Sequence, residues 1–175
     1  MWNAVGAAAM AYAFGADVGA IRHGLEAVRP VPMRMQVERW AGVRIINDVY
    51  NANPASVEAA LATLRTIPGR GRRIAVLGDM LEMGTDEAAC HHEIGVLAAE
   101  CSLDVLYLMG RFAQDTKRGA LRAGMDRAAV RVARTHRKLG SALRNELRKG
   151  DWVLVKGSRG AAMEKVLVAM RDEGV

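Results

Sequence analysis

The chain has 175 residues, of which 51% are hydrophobic and 25% charged, and its formal net charge is +6 at pH 7. This length and composition predict a globular chain with one substantial core, an α/β domain with a small appendage, and they exclude a low-complexity chain. The chain contains Cys90 and Cys101 but no secretory signature, which predicts reduced thiols without a chemical role in a cytoplasmic protein.

The first 30 residues predict a pair of helices and no membrane segment. Ala11-Tyr12-Ala13 is similar to a signal-peptide cleavage site, but no basic segment precedes it. Asp17 and Arg22 interrupt the apolar run before it reaches the ~20 residues that a membrane-spanning helix needs. We therefore expect a buried helix that ends near Gly15 and a second helix that starts at Asp17. The apolar face of the second helix is predicted to consist of Val18, Ile21, Leu25 and Val28.

The segment Arg29-Pro30-Val31-Pro32 predicts a linker. A proline lacks the N–H of a helical hydrogen bond and disfavours helix at the residue before it. We place a domain boundary here, between residues 1–30 and 31–175. Met33 to Trp40 and Val43 to Val49 then predict an antiparallel hairpin that turns at Ala41-Gly42.

The remainder of the chain alternates between predicted strands and helices. The predicted strands are Arg73–Leu77, Val105–Met109, Ala129–Ala133 and Trp152–Val155. The predicted helices are one that starts at Pro54, then Thr85–Glu100, Arg111–Ala123, Lys138–Leu147 and Ala161–Arg171. This order predicts an α/β fold, a Rossmann-like three-layer domain with a mainly parallel sheet and the hairpin as its antiparallel edge.

A polar segment joins the second hairpin strand to the following helix. Asn53 and Pro54 are typical of an N-cap and a first helical position. The helix start offers free N–H groups and a positive dipole end beside Asp48, Tyr50 and Asn51, which suits ribose hydroxyls and phosphate. Because capping explains only Asn53 and Pro54, we favour a ligand site over a simple capped turn.

Other polar clusters also follow predicted strands, at Gly78-Asp79, at Gly110-Arg111 and from Lys156 to Gly160. In open α/β sheets the ligand crevice lies at these carboxyl ends. The last cluster supplies cations and a hydroxyl at a helix start, which suits a carboxylate or phosphate, although a solvated cap explains it equally well. Asp86 and Glu87 are interpreted as dipole partners of a helix whose N-cap is Thr85.

Two further features suggest functions that we do not favour. Cys90-His91-His92-Glu93 is similar to a metal cluster, but consecutive helical residues point about 100° apart, so we predict no metal there. The segment 117–149 contains eleven Lys and Arg residues against two acids, which is consistent with a nucleic-acid interface. It lacks aromatic residues that stack on bases, so we favour a solvated basic surface that also attracts anionic substrates.

The segments NDVYNANPAS, IAVLGDMLEMG and LVKGSRGAAMEKV, in this order, closely resemble the C-terminal domain of the Mur ligase family, and the resemblance covers nearly the whole chain. It implies part of an ATP-dependent enzyme of peptidoglycan synthesis that joins UDP-N-acetylmuramoyl-tripeptide to D-alanyl-D-alanine. Trp2-Asn3-Ala4-Val5 resembles the end of a His-Asn-x-x-Asn-Ala segment whose second asparagine meets adenine. Residues 1–30 are accordingly interpreted as the last helices of a central ATP-binding domain, with Asn3 at the adenine.

The resemblance also implies roles for single residues. Arg34 would reach the ATP phosphates, Asp48 the ribose hydroxyls, and Tyr50 and Asn51 the nucleoside region. Met33 departs from related ligases, which carry histidine before this arginine, so only the arginine is transferred. Lys156, Ser158 and Arg159 would line the dipeptide pocket. The full set of predicted substrate-binding residues is Asn53, Asp79, Arg111, Lys156, Ser158 and Arg159, and His91 is expected to pack or hydrogen-bond near the site.

Neither a G-x-x-x-x-G-K-[ST] loop nor a G-x-G-x-x-G fingerprint occurs in the chain. In Mur ligases the P-loop, the Mg²⁺ ligands and a carbamylated lysine belong to the central domain. The resemblance therefore implies a fragment without catalytic residues, inactive alone, that shares ATP and Mg²⁺ with missing N-terminal and central domains. We expect no nucleic-acid partner and no membrane insertion. The alternatives are a basic nucleic-acid-binding module and a nucleotide-sensing Rossmann-like module.

Overall fold

The computed structural model describes residues 2–28, 31–81 and 83–172. The chain divides into compact units, Met1–Val31 and Pro32–Val175. The assignment of the first unit to a separate, preceding domain stays a prediction.

The first unit contains helix α1, Trp2–Ala13, and helix α2, Val18–Glu26. Asp17 caps α2, because its Oδ1 accepts hydrogen bonds from the N–H groups of Gly19 and Ala20 at 2.8 and 3.1 Å. The predicted burial of the first helix is wrong for this chain: Met10 and Tyr12 are exposed, because two short helices are too small to enclose a core of their own. Within the described residues, no helix has the length and apolar character needed to cross a bilayer.

The second unit is built on a mixed sheet. Its described strands are β1 Gln36–Trp40, β2 Val43–Asp48, β3 Arg73–Leu77, β4 Val105–Met109, β5 Val130–Ala133 and β6 Trp152–Lys156. They lie in the order β1-β2-β6-β3-β4-β5, with β1 antiparallel to β2 and all other pairs parallel. The predicted parallel sheet with an antiparallel edge hairpin is confirmed.

Helices cover both faces of this sheet, as predicted. They are α3 Pro54–Thr66, α4 Glu87–Glu100, α5 Ala113–Arg122, α6 His136–Glu146 and α7 Glu164–Arg171. Alternate residues of each central strand enter different cores, so that Ala75 and Leu77 pack with α3, α4 and α5, whereas Ile74 and Val76 pack with α6 and α7. The result is a three-layer domain whose central strands are buried on both faces.

The first hairpin strand begins later than predicted. Met33 and Met35 have φ values of 60° and 48°, in the left-handed region that strand residues avoid, and β1 therefore begins at Gln36.

Helix starts also differ from the predictions. A short 3-10 helix, Gly84–Asp86, precedes α4, which places Asp86 rather than Thr85 at the N-cap. The helices predicted to begin at Arg111, Lys138 and Ala161 begin at Ala113, His136 and Glu164. Before the last of these, Ala162 has a φ of 49°, which interrupts helical geometry.

Glycines allow α4 and α5 to pack closely. A Cβ atom at Gly95 would lie 2.0 Å from the carbonyl oxygen of Thr116, and one at Gly119 would lie 1.9 Å from that of His92. The clashing atoms belong to the helix backbones, so a side chain at either position would push the two helices apart. Close packing of α4 and α5 therefore requires glycine at both positions.

We expect Gly95→Ala to lower the free energy of unfolding by about 1–3 kcal/mol, because the added methyl group forces the helices apart. Urea unfolding of the purified chain measures the change. Glu93→Ala, at an exposed position of the same helix, is the control and should change stability by no more than about 0.5 kcal/mol. Equal effects of the two substitutions would contradict the close packing.

The sheet edge formed by the strand starts contains a buried ion pair. Arg72 Nη2 donates to Asp151 Oδ2 at 2.6 Å, and the N–H of Arg148 donates to the same oxygen at 2.9 Å. Burial acts to raise the pKa of Asp151, but the hydrogen bonds from Arg72 and Arg148 outweigh it and hold that pKa below its ordinary value.

A carboxylate whose pKa is lowered by folding stabilises the fold above its unfolded pKa, and this stabilisation is lost as the pH falls through the folded pKa. We therefore expect Asp151→Asn to lower the free energy of unfolding at pH 7 by about 1.5–3 kcal/mol. The difference from the parent chain should shrink below about pH 4. Urea unfolding from pH 7 to pH 3 tests this, with the exposed Asp172 changed to Asn as control. A difference that is constant with pH would refute the stabilising role.

Candidate functional site

The carboxyl ends of the parallel strands meet at one edge of the sheet, and polar cavities lie there. A first cavity of about 360 Å³ lies beside β2, β6 and α3. Its polar lining comes from Arg34, Asp48, Asn51, Asn53, Ser56, Thr63 and Lys156. A second cavity of about 670 Å³ lies at the ends of β3, β4 and β5. Its polar lining comes from Asp79, Gln114, Arg134 and His136.

An ion pair forms the inner wall of the first cavity. Asp48 and Lys156 end their strands directly opposite each other in the parallel register, and Lys156 Nζ donates to Asp48 Oδ2 at 2.6 Å. The same ammonium donates to the carbonyl oxygen of Asn51 at 2.9 Å, while the N–H of Met35 donates to Asp48 Oδ1 at 3.0 Å. The carboxylate is thus fixed from both sides, yet each oxygen keeps a lone pair that can accept another hydrogen bond.

The start of α3 lines the same cavity. The predicted N-cap is confirmed, because Asn53 Oδ1 accepts from the N–H of Ser56 at 2.9 Å. Ser56 Oγ in turn accepts from the N–H of Asn53 at 3.0 Å, which completes a capping box. Asn51 Oδ1 accepts from the N–H of Ala52 at 2.9 Å. These bonds place a positive helix end beside the ion pair.

A cation and an aromatic ring lie together near the first cavity. The Arg34 guanidinium carbon lies 4.1 Å from the centroid of the Tyr50 ring, and both side chains are exposed. The N–H of Tyr50 donates to the carbonyl oxygen of Met33 at 3.1 Å, which links the two loops. This arrangement leaves a positive charge and a ring available to an anionic, planar ligand.

Asp79 organises the loops around the second cavity. Its Oδ2 accepts from the N–H of Arg111 at 2.8 Å, and its Oδ1 accepts from the N–H of Phe112 at 3.1 Å. Gly110 has a φ of 123°, and a Cβ atom there would lie 2.3 Å from the Asp79 carboxylate. The predicted substrate residue Asp79 therefore holds the loop that follows β4 and lines the cavity with the remaining face of its carboxylate.

His91 hydrogen-bonds the loop that follows β3 and stacks on Phe112 in the loop that follows β4. Its Nε2 accepts from the N–H of Met80 at 2.9 Å, and its Nδ1 lies 2.6 Å from the carbonyl oxygen of Glu87. These partners assign the proton to Nδ1, in a neutral ring that stacks on Phe112 with 4.7 Å between centroids. Among the residues that the structure describes, no group of three or more His, Cys, Asp and Glu side chains is arranged to hold a metal ion.

The structure separates the residues that the resemblance grouped around the dipeptide. Lys156 lies in the first cavity with Asp48. Ser158 is buried, and its N–H and Oγ both donate to the carbonyl oxygen of Asp79, at 2.9 and 2.8 Å. Arg159 is exposed, and its Nη1 lies 3.6 Å from Glu164 Oε1. The Arg111 guanidinium carbon lies 5.0 Å from the centroid of the Phe112 ring. Asn3 is an exposed residue of the first unit.

The sequence interpretation missed part of the second cavity. Gln114, Arg134 and His136 line it, and His136 Nε2 donates to the carbonyl oxygen of Ala161 at 2.9 Å. The signal was present, because Arg134-Thr135-His136 directly follows the strand that was predicted to end at Ala133. The rule that selected the polar clusters after the other strands also selects this one.

Part of the basic segment 117–149 has partners within the fold. Arg131 bonds Glu146 and Tyr107, and Arg144 Nη2 donates to the carbonyl oxygen of Ala169 at 3.1 Å. Burial, together with the hydrogen bond to Glu146, raises the pKa of Tyr107 to about 12, so this phenol stays protonated and donates. Arg131 and Arg144 therefore make contacts within the domain.

Residues 33–159 match the family model described as Mur ligase, glutamate ligase domain. The chain therefore belongs to the Mur ligase family. It is 41% identical to the UDP-N-acetylmuramoyl-tripeptide–D-alanyl-D-alanine ligase of Mycobacterium tuberculosis, in an alignment that covers 96% of the chain and 37% of that protein.

Solved structures agree with this assignment. A crystal structure of MurF from Acinetobacter baumannii matches 97% of the chain and 37% of its own length, with a TM-score of 0.84 and 31% identity. MurF from Thermotoga maritima, solved in complex with ADP, matches 92% of the chain and 35% of its own length, with a TM-score of 0.75 and 26% identity. The chain spans little more than a third of the length of these relatives.

Proposed function

We propose that the chain is the C-terminal part of an ATP-dependent ligase that adds D-alanyl-D-alanine to UDP-N-acetylmuramoyl-tripeptide in the cytoplasm, during peptidoglycan synthesis. The names of the relatives supply the substrates of this proposal. The observation that carries it is the fixed Asp48 carboxylate at the end of β2, in the first cavity, which the start of α3 also lines. The missing domains, in this proposal, complete the active site.

The first cavity suits the nucleoside end of ATP. Asp48 presents free lone pairs, so it would accept the ribose hydroxyls, which are donors. Arg34 would meet the phosphates, with Tyr50 and Asn51 beside the nucleoside. The T. maritima relative was solved with ADP, which supports a nucleotide in this family. Mg²⁺ has no fitting ligand cluster among the described residues, so its ligands would belong to the missing central domain.

The second cavity suits the acceptor dipeptide. D-Alanyl-D-alanine carries a carboxylate that must be held while its amine attacks, and Arg134 lines this cavity. Arg111 and Arg159, which follow the neighbouring strands β4 and β6, would add positive charge from outside the cavity lining. Asp79 and Ser158 would position the surrounding loops, whereas Asn53 lines the first cavity. The reaction forms an acyl phosphate from the tripeptide carboxylate and then an amide. The residues of this chain contribute orientation and charge neutralisation to both steps.

We expect Asp48→Ala in the full-length ligase to raise the KM for ATP about tenfold or more, because a charge-assisted hydrogen bond to ribose is lost. Steady-state kinetics with ATP varied at saturating dipeptide measures it. Glu58→Ala, an exposed acid on α3, is the control. An unchanged KM for ATP with a raised KM for the dipeptide would place Asp48 in the acceptor site.

We expect Arg159→Ala and Arg134→Ala each to raise the KM for D-alanyl-D-alanine about tenfold, while acyl-phosphate formation from ATP and the tripeptide precursor survives. Both cations are proposed to hold the dipeptide carboxylate. The dipeptide is varied at saturating ATP, and the exposed Arg122 changed to Ala serves as control. An unchanged KM for D-alanyl-D-alanine in both variants would show that these arginines do not bind the dipeptide.

A further inference from the structure

Lys156 is a cation in an unusual environment. Its side chain is 2% exposed, although lysine almost never becomes fully buried without a partner. The ammonium bonds Asp48 Oδ2 at 2.6 Å and the carbonyl oxygen of Asn51 at 2.9 Å. A buried ion pair adds little net stability over an apolar pair of the same size, so stability alone does not explain its presence.

The partners of this ammonium belong to the nucleotide site of the proposed function. Asp48 ends β2, and Asn51 lies in the loop between β2 and α3. Lys156 neutralises the Asp48 carboxylate, so its own charge is already compensated. An incoming dipeptide carboxylate would gain little from an ammonium in this state, and binding it there would leave Asp48 buried without its counter-ion.

The residue that follows Lys156 by two positions faces a different partner. Ser158 bonds the carbonyl oxygen of Asp79, beside the second cavity. The end of β6 therefore divides the two cavities, with Lys156 on the Asp48 side.

We infer that Lys156 is a positioning residue for the nucleotide site: it fixes the orientation of the Asp48 carboxylate and holds the loop at Asn51. This inference rests on the proposed function, since it assigns Lys156 to the nucleotide side of that active site and not to the dipeptide. The remaining lone pairs of Asp48 stay directed at the cavity only while Lys156 and the N–H of Met35 hold the carboxylate from either side.

The test uses Lys156→Met, Asp48→Asn and the double variant in the full-length ligase, with the exposed Lys165 changed to Met as control. Lys156→Met removes the charge but keeps an unbranched side chain that is only one atom shorter. This variant is expected to be less stable, because it leaves Asp48 buried without a counter-ion. The double variant removes both charges and avoids that loss of stability, so it separates an effect on the nucleotide site from misfolding. KM for ATP, KM for D-alanyl-D-alanine and thermal unfolding are measured for every protein.

We expect Lys156→Met to raise the KM for ATP about tenfold and to leave the KM for the dipeptide within about twofold of the parent value. In the Asp48→Asn background the same change should add less than about twofold, because Lys156 acts through Asp48. Lys165→Met should alter neither constant.

Three results would overturn the inference alone, and a fourth would overturn it together with the proposed function. A raised KM for the dipeptide with an unchanged KM for ATP would make Lys156 an acceptor contact. Lowered thermal stability in Lys156→Met, with both constants at parent values, would make it purely structural. Additive effects on the KM for ATP in the double variant would show that Lys156 does not act through Asp48. If Asp48→Asn itself leaves the KM for ATP unchanged, the nucleotide assignment of the proposed function fails first, and the inference fails with it.

Discussion

The pairing of β6 with β2 and β3 is the constraint on which the candidate site depends. Its register sets Lys156 against both Asp48 and Leu77, so the last residue of β6 meets the ends of both neighbours. The buried ammonium of Lys156 is compensated by the carboxylate that this register brings opposite it. A shift of one residue in this register would turn Lys156 to the other face of the sheet and leave Asp48 without its cation.

The loops around the second cavity are also held together by one aspartate, Asp79, but here most of the hydrogen bonds involve backbone groups. The carboxylate of Asp79 holds the N–H groups of Arg111 and Phe112, and its carbonyl oxygen receives both donors of Ser158. One residue thus fixes the ends of three neighbouring strands relative to each other. Gly110 permits this because any side chain at that position would meet the carboxylate. Rigid loops of this kind suit a site that must orient a small acceptor.

The sequence predicted the elements whose signals are local. Continuous apolar runs such as Ile74 to Leu77 identified the buried parallel strands, and Asn53 with Pro54 identified the start of α3. The positive φ values of Met33 and Met35 were not predictable, because neither residue type indicates left-handed backbone. Lys156 was grouped with its sequence neighbours Ser158 and Arg159, whereas its partners come from β2 through a register that only the folded sheet reveals. Arg134 and His136 were missed although a local rule was sufficient to select them.

The order of the strands explains why the cavities differ in chemistry. Helices α3, α4 and α5 pack on one face as the chain proceeds from β2 to β5, and α6 then packs on the other face before β6 inserts between β2 and β3. The cavity beside β2 therefore receives an acceptor, Asp48, together with a helix start. The cavity beyond β3 receives Arg134 from the end of β5. A carboxylate acceptor suits a ligand that donates hydroxyl groups, and a cation suits a ligand that carries a carboxylate. Because β6 lies between them, the two cavities lie on opposite sides of one strand end and suit ligands of different chemistry.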